Sequence, residues 1–149
     1  MTTLVVGIGS PIRGDDGVGL RVVEQLRCRG LPAGVEAMEL GTGGLALLDV
    51  LSGYDRLVIV DAIVSGAAPG TVIELAGDDV SRTEHLGEGH EADLPTLLEL
   101  ARRGLGADMP TEVVVVAVEA GDVLRITEEL SPAVAAAVDE AVERVLAIL

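Results

Sequence analysis

Two adjacent carboxylates in a glycine-rich loop are the first residues of this chain that could do chemistry. The loop reads GIGSPIRGDDGVG over residues 7–19, follows the apolar run TLVV, and carries Asp15 and Asp16. Such loops usually cradle a phosphate, but Asp15 stands where a P-loop has lysine, and Ile12 where a dinucleotide fingerprint has its third glycine. Because carboxylates repel phosphate, the loop predicts close backbone approach to a cation, or to a group that carries one.

A third acid and two histidines could complete a metal site. Asp61 lies near the end of the apolar run RLVIVDAIV, and carboxylates are rarely buried without a partner or a metal. His85 and His90, the two histidines of the chain, both fall in the polar stretch 77–93. Two aspartates and a histidine form a nitrogen and oxygen ligand set that suits nickel, zinc or another divalent ion.

Each of these residues also has a purely structural interpretation. One of the two neighbouring aspartates could cap the following helix, Asp61 could cap the next turn through an Asx bond, and a loop histidine is usually solvated. Since only one of the pair can be an N-cap, we expect Asp15 to cap the helix or structure the loop and Asp16 to face the cleft.

The elements that must position these residues alternate along the chain. Apolar runs rich in β-branched residues predict strands, and helical spacing with Gly and Pro boundaries predicts helices. The strands are 3–8, 35–40, 56–64, 71–76 and 112–120, and the helices are 17–30, 44–53, 94–104 and 131–149. This order predicts a single three-layer α/β/α domain over 1–149, with a mostly parallel, five-stranded mixed sheet whose antiparallel member is TVIELA. Ligands of such sheets bind at the carboxyl ends of the strands, where the glycine loop and Asp61 lie.

Composition excludes several classes of function. The net charge is −15 and the sequence contains no lysine, which argues against a nucleic-acid partner. No apolar run approaches the ~20 residues that span a bilayer, so no membrane partner is expected. The start MTTLVVGIGS lacks the basic region of a signal peptide, and the single cysteine, Cys28, allows no internal disulfide; both indicate a cytoplasmic protein.

A receiver-like domain that binds Mg²⁺ is one alternative for the acids. Asp15 and Asp16 would follow its first strand, and Asp61 would be the phosphoacceptor at the end of the third. Such a domain needs a lysine after its fifth strand, and here VVVVAVEAG ends without one.

Five segments of the sequence resemble the hydrogenase maturation endopeptidases. GIGSPIRGDDGVG is similar to the opening signature of that family, with Ser10 where asparagine is commoner, and ELGTGG (39–44) is similar to its glycine–threonine turn. The other matching segments are VIVDAIVSGAAPGTV (58–72), GHEADLPTLLELA (89–101) and LSPAVAAAVDEAVERVL (130–146).

The resemblance implies an endopeptidase that removes the C-terminal tail of the [NiFe]-hydrogenase large-subunit precursor after nickel insertion. It implies Asp16, Asp61 and His90 as catalytic residues and nickel ligands, and Gly41 and Thr42 as a substrate-binding turn. The nickel would be supplied by the precursor, and no organic cofactor is implied. Asp16 and Asp61 are both candidates for the general base of a metal-assisted hydrolysis. A non-catalytic, nickel-binding checkpoint module remains an alternative.

Overall fold

The computed structural model describes residues 1–41, 45–76, 79 and 94–149. The helices and strands in these ranges are, in chain order, β1 Thr3–Ile8, α1 Val18–Arg29, β2 Val35–Leu40, α2 Ala46–Val50, β3 Arg56–Ile63, β4 Val72–Ala76, α3 Leu94–Leu105, β5 Glu112–Glu119 and α4 Pro132–Ile148. Two short 3-10 helices precede α1 and β5, at Gly14–Gly17 and Gly106–Asp108. The sequence did not predict the first of these, which carries the aspartate pair.

The strands form one five-stranded sheet in the order β2-β1-β3-β5-β4. β1, β2, β3 and β5 are parallel, and β4 runs antiparallel to β5 at the edge. The predicted mixed sheet, including its antiparallel member, is therefore confirmed. Among the residues that the structure describes, no helix is both long and apolar enough to cross a membrane.

Apolar side chains from both faces of the sheet pack against helices, which gives the predicted three layers. Leu4, Val6 and Ile8 of β1 belong to a core shared with α2 and α3. Val5, from the opposite face, belongs to a second core shared with α1 and α4. This division follows from the strand geometry, because successive side chains point to opposite faces.

Two glycines let α1 approach the sheet at the strands that carry the candidate site. A Cβ atom added to Gly19 would lie 2.3 Å from the carbonyl oxygen of Val60 and 2.9 Å from that of Ile8. A Cβ atom on Gly7 would lie 2.3 Å from the carbonyl oxygen of Gly19. The sequence predicts that the glycine loop allows close backbone approach. At Gly7 and Gly19 the group approached is the protein's own backbone.

We expect Gly19→Ala to lower the free energy of unfolding by roughly 1–3 kcal/mol or more, because the backbone must move to admit the methyl group. Gly104→Ala is a matched control, since Gly104 lies in α3 with no atom within 4 Å of a built Cβ. The control should raise stability by about 0.5–1 kcal/mol through helix propensity. Urea denaturation measures both, and equal behaviour of the two variants would contradict the packing role of Gly19.

Candidate active site

Four buried acids lie at or next to the carboxyl edge of the sheet. Asp15 and Asp16 are in the 3-10 turn after β1, Asp61 is near the end of β3, and Glu119 is the last residue of β5. Their exposed fractions are 0% for Asp15, 5% for Asp16, 1% for Asp61 and 3% for Glu119. Buried carboxylates need hydrogen bonds or a cation, so each of these four acids must have such a partner.

The Asp15 carboxylate joins the glycine loop to the β5–α4 connection. Its Oδ2 accepts hydrogen bonds from the backbone N–H of Gly121 at 2.7 Å and of Asp122 at 2.9 Å. Its Oδ1 accepts from the N–H of Ser131 at 2.7 Å, and the Ser131 hydroxyl donates to Oδ2 at 2.8 Å. Ser131 is the N-cap residue of α4, but its hydroxyl bonds to Asp15 instead of capping the helix.

These bonds keep Asp15 ionised. Burial would raise the pKa of its carboxyl group, but the hydrogen bonds from Ser131, Asp122 and Gly121 outweigh burial and hold the pKa below the ordinary 3.8. Neither aspartate caps α1, because its N-cap residue is Gly17 and no side chain bonds there. The alternative that Asp15 structures the loop is confirmed, and the capping alternative is wrong for both aspartates.

Glu119 has a comparable structural role at the end of β5. Its Oε1 accepts hydrogen bonds from the N–H groups of Ser65 at 2.8 Å and Gly66 at 3.0 Å, and its Oε2 accepts from the Ser65 hydroxyl at 2.6 Å. Glu119 therefore fixes the turn that follows β3. The sequence analysis missed this residue, although an acid at the end of the apolar run VVVVAV is the same signal that pointed to Asp61.

Asp16 and Asp61 are the other two of these four buried acids. Asp16 Oδ2 accepts a hydrogen bond from the Ser10 N–H at 2.9 Å, and Asp61 Oδ1 accepts from the Ala62 N–H at 2.8 Å. The 3-10 turn that carries Asp16 packs against β3, which carries Asp61. Gly9, with φ of +146°, approaches so closely that a Cβ there would lie 1.9 Å from the Asp16 carbonyl oxygen. The structure thus brings these two predicted residues to one edge.

The other predicted site residues are described only in part. Gly41 directly follows β2, at the same edge of the sheet, and is exposed. Thr42, His85 and His90 lie outside the described residues. Within residues 1–41, 45–76, 79 and 94–149, no three carboxylate, imidazole or thiol groups are grouped as a metal site. The predicted ligand set of Asp16, Asp61 and His90 therefore stays a prediction.

Comparison with known proteins identifies the family. The hydrogenase maturation protease model HycI matches residues 20–148. The hydrogenase 2 maturation protease of Escherichia coli K12 is 35% identical over 153 residues, covering 100% of this chain and 91% of its own. This chain belongs to the hydrogenase maturation protease family.

Solved structures of the family share the fold. The E. coli hydrogenase maturating endopeptidase HybD has a TM-score of 0.85 at 34% identity, with 100% of this chain and 92% of that one covered. The [NiFe] hydrogenase maturation protease HybD of Thermococcus kodakarensis has a TM-score of 0.76 at 26% identity, with 99% of each chain covered. As a member of this family the chain is a protease, which overturns the receiver-like and non-catalytic alternatives.

We expect Asp15→Asn to lower the free energy of unfolding by about 2–4 kcal/mol. An amide has one acceptor oxygen, whereas the N–H donors around Asp15 bond to two carboxylate oxygens. Asp49→Asn, which removes the same charge from an exposed helical position, should change stability by less than about 0.5 kcal/mol. Chemical denaturation at neutral pH compares the two.

Wild type and Asp15→Asn also differ in how their stability depends on pH. The pKa of Asp15 is lowered in the folded state, so its stabilisation is present above the ordinary pKa of 3.8 and is lost as pH falls through the lower folded value. The stability difference between wild type and Asp15→Asn should therefore shrink in acid. A difference that is the same at neutral and acid pH would contradict an ionised Asp15.

Proposed function

We propose that this protease removes the C-terminal tail of the [NiFe]-hydrogenase large-subunit precursor once nickel has been inserted. The observation that carries the proposal is the buried pair Asp16 and Asp61 at the carboxyl edge of the sheet, in a chain of this protease family. The fold also favours this location, since open α/β sheets bind ligands at that edge.

The chemistry of the donors suits a divalent cation carried by the substrate. Carboxylate oxygens and a neutral imidazole are ligands for nickel or zinc, and the chain as a whole has a net charge of −15. In the proposal, Asp16, Asp61 and His90 complete the coordination of nickel already held by the precursor. The backbone N–H groups of Ser10 and Ala62 hold the two carboxylates in place.

Hydrolysis then requires water to add to the scissile carbonyl carbon and the C–N bond to break. The nickel of the substrate supplies a positive charge beside the carbonyl group. Asp16 or Asp61 accepts the proton of the attacking water and returns it to the leaving amine. Gly41 and Thr42 would bind the precursor peptide, since the exposed Gly41 follows β2 at the same edge and has no atom within 4 Å of a built Cβ.

We predict that Asp16→Asn, Asp61→Asn and His90→Ala each lower the rate of tail removal by at least about a hundredfold. Asp16→Glu should retain part of the activity, because charge and donor type are kept. Thermal melts check that the two asparagine variants remain folded. Mass spectrometry of the precursor measures how fast the tail is removed, and Asp49→Asn is the control. Full processing by any one loss variant would remove that residue from the mechanism.

We predict that the enzyme cleaves nickel-loaded precursor and leaves the nickel-free form intact. Three protein ligands leave coordination positions for the substrate, so free nickel should bind weakly, and more weakly in acid because His90 must be neutral to ligate. A processing assay on both precursor forms and nickel calorimetry at two pH values make the measurement. Equal cleavage of the two forms, or stoichiometric zinc in purified protein, would show that the substrate's nickel does not gate the reaction.

A further inference from the structure

Within the part of the chain that the structure describes, four large apolar side chains are exposed in the segments that follow β1, β3 and β5, next to the candidate active site. They are Ile12 with 52% of its surface exposed, Val64 with 39%, Leu124 with 85% and Ile126 with 84%. We call these four residues the apolar rim. Single exposed apolar residues are common, but a contiguous apolar surface usually marks a binding site.

The rim residues belong to neighbouring segments. Thr127 donates its N–H to the carbonyl oxygen of Ile12 at 2.9 Å, and Arg13 pairs with Thr127 in a parallel bridge, which places Ile126 beside Ile12. Val64 and Leu124 line the same cavity of about 220 Å³. Leu124 and Ile126 are two residues apart in one loop, so the pair Val64 and Leu124 neighbours the pair Ile12 and Ile126.

The loop that carries Leu124 and Ile126 is held firmly by polar bonds. Asp122 Oδ1 accepts hydrogen bonds from the N–H groups of Leu124 at 3.0 Å and Arg125 at 3.1 Å. Asp15 fixes the start of the same loop through Gly121 and Asp122. Because the backbone of this loop is already ordered, less conformational entropy is lost when its apolar side chains bind a partner.

The apolar rim is continuous with the edge that carries the two candidate catalytic carboxylates. Ile12 lies two residues after Ser10, whose N–H binds Asp16, and Val64 lies three residues after Asp61. A protein whose cleavage site enters this edge must therefore pass over or along the rim. The position suits contact with the body of a substrate rather than with its scissile bond.

We propose that the apolar rim docks the folded body of the large-subunit precursor, an inference that rests on the proposed function. The net charge of −15 disfavours a second copy of this chain as occupant, because two copies repel. Exposed Asp122, Glu128 and Glu129 flank the rim, as do two cations, Arg13 and Arg125, so acids predominate among these five residues. This setting fits an apolar patch on the precursor bordered by arginine and lysine side chains.

The double variant Leu124→Ser/Ile126→Ser tests the docking role. For nickel-loaded precursor its KM should rise about tenfold or more, while kcat at saturation stays within about twofold of wild type. Its thermal melt should match wild type, since both side chains are exposed. Leu100→Ser, at a 48% exposed position on α3, is the matched control and should leave KM unchanged. Added salt should raise the KM of wild type, because the flanking charges attract the partner.

The possible results separate this inference from the proposed function. If wild type does not cut the precursor, the proposed function fails, and calorimetry of precursor binding to wild type and double variant still decides the docking role. If wild type cuts and the double variant has an unchanged KM, or the Leu100→Ser control shows the same rise, docking at the rim is wrong. If sedimentation shows a wild-type dimer that the double variant abolishes, the occupant is a second copy and the inference is overturned.

Discussion

The carboxylate of Asp15 holds together the part of the molecule on which the candidate site depends. A buried charge requires hydrogen-bond donors, and here they come from the β5–α4 connection, which includes Ser131, the N-cap residue of α4. Gly14 adds a backbone bond to Thr127, and the Asp15 N–H adds one to Asp122. These bonds join the glycine loop to the β5–α4 connection, although the two loops are far apart in sequence. Asp16 is fixed in position because it is the next residue after Asp15.

The 3-10 turn explains how adjacent aspartates take different roles. With about three residues per turn, successive side chains point roughly 120° apart, so Asp15 and Asp16 meet different surroundings. Asp15 reaches the connection after β5, and Asp16 reaches back to the N–H of Ser10, two residues after β1. Gly9 makes this return possible, because any side chain there would collide with the Asp16 carbonyl oxygen.

The sheet could be predicted from sequence, because continuous β-branched runs such as VVVVAV are typical of strands buried on both faces. The role of Asp15 could not be assigned, since its donors Gly121 and Ser131 lie 106 and 116 residues away. Glu119 could have been suspected from its place after an apolar run, but its donors lie 54 and 53 residues away. Local pattern thus predicts strands and acids at strand ends, and only the fold shows the distant donors that bind Asp15 and Glu119.

The structural acids also shape the electrostatics of the site without touching a ligand. Asp15 stays ionised because its hydrogen bonds lower the pKa, so its negative charge persists one residue from Asp16. N–H dipoles compensate that charge locally, but they do not remove it from the long-range field of the edge. A phosphate brought to this edge would add to the repulsion, whereas a divalent cation would offset it. The ionised Asp15 thus makes the glycine loop unfavourable for an anion, for a reason that its glycines do not show.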